Sequence, residues 1–378
     1  MSFSEFIGNP RIVTALRGML AGERVPHAML FTGPRGVGKF TLAQMFAQAA
    51  NCERLRDDFC GECGTCRRIG HLSDIRPLIE QGLAQRGERP DAATVERIPL
   101  LLETHPDVWA VVPDPVRAKD PVARPMLRVG QLRAVQRAAY FKPQGRHRVF
   151  ILDGAETMHW HIASIFLKVL EEPPESATLI LIAPNPFQLL STIRSRCLQF
   201  SFTPLAAGEV EEILSARTEL KPAERKLAAQ LSEGSPGAAM ELDLEAAVKL
   251  RRDCLTVLER SLDLRGVSNL FASTSALAKS QEVAFENVLE VFYSLLTDLL
   301  DLSCSSSTKK VLRNPSLRKE LETLSEKVNV KWVSKAVEGF DALHARLRRN
   351  INRSLGLDAV AISLARPAPD TGNPISQQ

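Results

Sequence analysis

The chain has 378 residues, 44% hydrophobic and 24% charged, with a net charge of +4. That length exceeds one ordinary core and predicts two or three globular domains, and the mild charge lacks the concentrated basic face of a dedicated nucleic-acid binder. It shows neither a run of 18 apolar residues nor, in "MSFSEFIGNPRIV", a signal-peptide layout, so a cytoplasmic protein without membrane contact is expected.

Ile12, Leu16, Met19 and Leu20 share one face of a helix over 10–21. "HAMLFTG" (27–33) reads as a buried strand entering a Gly-rich turn, and 40–52 as the helix that follows. Further strands are expected at 107–112, 148–154, 178–184 and 197–202, all apolar on both faces. Helical patterns fall between them at 128–141, 162–172 and 187–196, an alternation that implies a parallel α/β sheet. Residues 72–103 show no sheet role and read as an insertion. The strands stop at 203; 204–243 reads as a small helical unit and 244–365 as wholly helical, with a loop at 303–310. The Pro-rich polar tail 366–378 is expected to be disordered.

A strand, then "GPRGVGKF" (33–40), then a helix is the layout of a phosphate-binding loop. Gly33, Gly36 and Gly38 let backbone amides curl around phosphates, and Lys39 reaches the β and γ oxygens. Phe40 stands where a hydroxyl normally reaches Mg²⁺, and is expected to pack against the sheet. Thr41 is one residue late, about 100° further round the helix. The second half of such a site is a strand ending in Asp-Glu. "VFILDGAE" supplies Asp153, for Mg²⁺ or as a plain strand-end cap, but Gly154 replaces the glutamate that activates water, and Glu156 points elsewhere. ATP or ADP can therefore bind, but hydrolysis is expected to be lost.

Four of seven cysteines, Cys52, Cys60, Cys63 and Cys66, follow C-x7-C-x2-C-x2-C. Four thiolates with Gly residues between them suit a closed, structural Zn²⁺ site. The rival, an iron–sulfur cluster, usually has its last Cys one residue later and followed by Pro; here Arg67 and Arg68 follow.

"VPHAMLFTGPRGVGK", the cysteine cluster, "THPDVWAV", "FLKVLEEPPESATLILIAPNP" and "TIRSRC" together resemble the bacterial clamp-loader subunits of DNA polymerase III over residues 1–240. The resemblance implies an AAA+ type α/β domain over 1–203 with the zinc module (52–66) and the insertion inside it. A helical lid (204–243) and an all-α collar for oligomerisation (244–365) follow. It places a first sensor at Pro184, beside Asn185, and a second sensor arginine at Gly237. With Phe40 and Gly154, these departures are most similar to the delta-prime branch, which keeps the cysteines and Ser-Arg-Cys but loses ATP chemistry. Arg196 matches that family's arginine finger, offered in trans to a neighbour's ATP site, with Arg194 the weaker candidate. Such a finger changes rates by roughly 10³ to 10⁵ in GTPases. The implied partners are gamma/tau and delta subunits, the sliding clamp and primed-template DNA. "LEEPPE" (170–175) reads as a helix stopped by Pro173 and Pro174, and His105 and Asp107 as a loop entering a strand, none of them catalytic. An active gamma/tau-like motor and a zinc-containing nucleic-acid binding module are the alternatives.

Overall fold

The computed structural model describes residues 2–87, 90–115, 125–158, 160–172, 174, 176–262, 267–279, 285–304, 312–347 and 352–365, with 160 and 162–165 in backbone only. Pro173, most of the loop at 303–310 and the tail at 366–378 lie outside the described residues. The chain divides into two compact units, one of residues 1–219 with 234–240, the other of residues 220–233 with 241–378.

The first unit is built on a sheet of β1 (Ala28–Thr32), β2 (Leu102–His105), β3 (Val108–Val111), β4 (Arg148–Leu152), β5 (Ala177–Ala183) and β6 (Leu198–Ser201), ordered β2-β3-β4-β5-β1-β6. β1, β4 and β5 are buried along their whole length, as their apolar runs require. Phe31 of β1 packs edge-on to Phe200 of β6, and Phe150, Phe166, Leu181 and Leu152 fill the core on one face. The register aligns Met29 with Ile180 on one side and Leu198 on the other.

Two expectations are corrected. The sheet is not wholly parallel: β2 runs antiparallel to β3. Only two residues separate these strands, enough for a hairpin but far too few for a crossover. Leu102 and Glu103, read from the sequence as insertion, belong to this edge strand, while the rest of that stretch includes the helices Arg76–Ala84 and Ala92–Arg97. "LETH" carries no strand pattern because an edge strand needs little apolar surface. The continuous helix expected over 187–196 is also absent. Asn185 Oδ1 accepts the Phe187 N–H at 2.9 Å and starts a single 3-10 turn, Pro186–Gln188. Leu189 and Leu190 are then extended, which buries Leu189, and only Ser191–Arg194 is α-helical.

The second unit is all helix among its described residues. The helices Leu244–Arg260, Phe285–Cys304 and Val330–Leu347 carry apolar residues at helical spacing into one core, where Phe292 stacks on Phe340 with centroids 4.5 Å apart. One polar knot is buried in it. Asp298 accepts the backbone N–H of Arg313 and Asn314, each at 2.8 Å, and Arg251 Nε donates to Asn314 Oδ1 at 3.0 Å.

Candidate functional site

β1 delivers the chain into the glycine-rich loop, and the helix Lys39–Asn51 leaves it, so the sequence and the structure agree on the local layout. Gly33 lies against the Phe202 carbonyl, Gly36 stands at φ +74°, and Gly38 caps the helix. Lys39 is buried, and its Nζ donates to the carbonyls of Gly33 (2.7 Å) and Pro34 (2.5 Å). Burial lowers its pKa, opposed by the charges of Asp153 and Glu156. Phe40 is half-buried.

A segment 200 residues further along the chain closes over this loop. Ser235 Oγ donates to the Arg35 carbonyl at 2.8 Å, and the Gly237 N–H donates to the Gly36 carbonyl at 3.0 Å. A Cβ on Gly36 would meet Ser235 Oγ at 2.3 Å, so glycine is required there by space as well as by φ. Gly237, aligned from the sequence with a sensor arginine, therefore does reach the loop, but with backbone alone. Asn185, beside the other sensor position, spends its carboxamide oxygen on its own turn.

Asp153 follows the end of β4, and its carboxylate accepts the Gly154 N–H at 3.0 Å. Burial raises its pKa, with Lys39 acting in the opposite direction. Gly154 is left-handed at φ +65°, and a Cβ there would meet Pro113 Cγ at 2.5 Å. Glu156, two residues on, pairs with Arg35 at 3.5 Å. Its carboxylate, expected from the sequence to point elsewhere, lies instead beside the phosphate loop, where its charge acts on Lys39. The loop suits a phosphate group: three glycines at positive φ and a helix N-terminus gather backbone donors, with the Lys39 ammonium held against the same loop. Phe40 has no oxygen to offer Mg²⁺, and Gly154 has no side chain.

The four predicted cysteines come together: their sulfurs all lie within 4.8 Å of one another. A tetrahedron of Zn–S bonds near 2.3 Å spaces sulfurs by about 3.8 Å, so the cage fits zinc with a small contraction. Backbone N–H groups already aim at sulfur, from Leu55 to Cys52 (3.4 Å), Cys63 to Cys60 (3.3 Å) and Cys66 to Cys63 (3.4 Å). The backbone N–H groups of Cys63 and then Glu62 lower the Cys60 thiol to about 6, whereas burial pushes Cys66 up. Bound there, zinc would supply cohesion and no open coordination position. The cage is tied to the phosphate-loop helix: Gln48 donates to the Cys66 carbonyl at 2.8 Å, and Gln44 to those of Ile69 and Gly70 at 3.1 Å each.

Arg196 lies just past the short helix Ser191–Arg194 and leads into β6. Because Leu198 is level with Met29 in a parallel pair, Arg196 sits beyond the start of β1, whereas the phosphate loop leaves its end. At 3.3 Å per residue the separation along the strands is roughly 20 Å, so Arg196 cannot serve its own loop. Its Nη2 pairs with Glu171 Oε1 at 2.9 Å, a partner that no sequence motif signals, and its Nη1 donates to the Thr192 carbonyl at 2.9 Å. Arg194 lies over the Phe187 ring, 4.9 Å from its centre. His105 and Asp107 are fasteners: His105 Nδ1 accepts the Asp107 N–H, and Asp107 accepts from Gln144, Gly145 and Arg148.

The strand that leads into Asp153 is separated from the phosphate-loop strand by β5 alone, an arrangement found in P-loop α/β domains. Residues 8–206, more than half of the chain, match the sequence profile described as DNA polymerase III, delta subunit; the chain belongs to that family of AAA+ clamp-loader proteins. It is 30% identical to the DNA polymerase III subunit tau of Escherichia coli (strain K12) over 65% of this chain and 33% of that protein. It is 27% identical to the DNA polymerase III subunit tau of Bacillus subtilis (strain 168) over 78% of this chain and 46% of that protein. The chain thus spans less than half the length of these curated relatives. A solved DNA polymerase III gamma subunit-related protein from Thermotoga maritima is similar at 15% identity over 94% of this chain and 99% of that one, with a TM-score of 0.39, too distant to bear on function. Among the described residues no helix is long and apolar enough to cross a membrane.

Proposed function

We propose that this chain is a delta-prime-type clamp-loader subunit, a stator that does not hydrolyse ATP and offers Arg196 to the ATP site of an adjacent gamma/tau-type motor. The observation that carries the reading is the division of the two ends of the sheet. At the phosphate-loop end, Phe40 and Gly154 replace both groups that hydrolysis needs. At the other end, Arg196 stands on the surface, out of reach of its own loop. A guanidinium delivered to a neighbour neutralises charge growing on the transferred phosphoryl group. In this reading 204–243 is the lid, 244–365 the collar joining gamma/tau and delta subunits, and Cys52, Cys60, Cys63 and Cys66 hold one structural zinc. The assembled loader opens the sliding clamp and places it on primed DNA. Arg196→Ala in a reconstituted loader should cut clamp- and DNA-stimulated ATP turnover by an order of magnitude or more. Unchanged turnover at saturating clamp sinks the assignment.

The likeness to tau subunits favours a second reading, an active motor. Steady-state ATP hydrolysis by the purified chain with Mg²⁺ separates the two. Turnover that disappears in Lys39→Ala supports the motor, and none in either protein supports the stator.

A further inference from the structure

Arg196 is engaged on both terminal nitrogens. Its side chain curls back over its own short helix, so that Nη1 donates to the carbonyl of Thr192, four residues earlier, at 2.9 Å. Nη2 meets Glu171 Oε1, at the end of the helix Trp160–Glu171, at 2.9 Å. A finger that reaches a phosphate on another subunit must do the reverse: extend from the helix end and present the same fork of donors outward. A carboxylate and a phosphate compete for that planar fork, since both accept from paired N–H groups. Arg194 does not compete for Glu171, because its guanidinium lies over Phe187.

We propose that Glu171 parks Arg196, holding the guanidinium in a retracted position until a neighbour's phosphate displaces the carboxylate. The proposal rests on the reading of Arg196 as a finger acting in trans, and it makes Glu171 a positioning residue for that site. The clasp is built to be broken. The two side chains are 36% and 50% exposed, and an ion pair so exposed to water biases its equilibrium by no more than about fivefold. A doubly or triply charged phosphate chain outbids one carboxylate, so the finger extends only where a nucleotide is in place. An empty neighbouring site leaves it parked.

Two measurements test this on the full-length chain. The first is the rate at which phenylglyoxal, an arginine-specific reagent, modifies Arg196 in the isolated protein, followed by peptide mass spectrometry with Arg194 as internal control. Glu171→Gln, a half-exposed and nearly isosteric change, should speed modification of Arg196 by about two- to fivefold and leave Arg194 unchanged. The second is ATP turnover by the reconstituted loader without clamp or DNA, which Glu171→Gln should raise by a similar factor. Equal Arg196 reactivity in wild type and variant overturns the parking role. So does a fall in turnover, which would mean that Glu171 aligns the finger. If Arg196→Ala leaves turnover intact, the finger reading itself fails and the proposal falls with it, whatever the reactivity of Arg196.

Discussion

Putting the missing glutamate back at position 154 should damage the fold without restoring an engine. Gly154 holds φ +65°, and a Cβ there would lie 2.5 Å from Pro113 Cγ and 3.2 Å from Pro113 Cδ. A left-handed backbone costs a side-chain-bearing residue about 1–2 kcal/mol. Pressing a Cβ into a proline ring, which cannot rotate away, adds about 1–3 kcal/mol. Together Gly154→Ala should lose about 2–5 kcal/mol, and Gly154→Asn, which tolerates this backbone better, should recover part of the first contribution. The assay is urea unfolding of the three proteins side by side. Gly154→Ala within about 0.5 kcal/mol of wild type would refute the reasoning, since neither the backbone nor Pro113 would then exclude a side chain. The functional counterpart is the double variant Phe40→Thr with Gly154→Glu, which should show no more ATPase activity than wild type. Faster hydrolysis by that protein would show that the turn at 154 adapts and that only the side chains were lost.

His147 Nε2 lies 2.7 Å from Thr178 Oγ1, and that hydroxyl donates to the Pro26 carbonyl, so the imidazole Nε2–H is the donor to Oγ1. Burial, and then the Arg146 charge, lower its pKa to about 4. The unfolded chain takes up this proton below about pH 6.5 and the folded one only near pH 4, so the stability is complete above 6.5 and is lost as pH falls toward 4. Between pH 7 and 4.5 wild type should lose about 2.5 kcal/mol more than His147→Gln in urea unfolding, and parallel pH profiles would exclude this account. The purified chain should bind one zinc ion, and Cys66→Ser should abolish it; a coloured, iron-containing protein would mean the cluster was misread. Removing zinc with a chelator should speed amide exchange across 52–72 by tenfold or more, while β4 and β5 keep their protection.

The phosphate loop, the cysteine cage and the central strands were legible in the amino-acid order because each is a local device. Gly33, Gly36, Gly38 and Lys39 act within seven residues, Cys52 to Cys66 within fifteen, and a strand buried on both faces must read as an apolar run. β2 was not legible, since an edge strand of four residues carries only Leu102 and His105 into the interior. The break at Leu189 was not legible either. Helical periodicity and a turn capped by Asn185 compete there, and burial of Leu189 decides between them. The order of residues determined which side chains the two halves of the loop site carry, since Phe40 and Gly154 need no structure to be seen. Tertiary structure alone decided what took their place. Ser235 rests on the Arg35 carbonyl, Pro113 walls off Gly154, and Glu171 clasps Arg196 across a strand and two turns. The reason is physical: contacts between distant segments depend on where the sheet brings the chain back, and the residues in between carry no trace of that return.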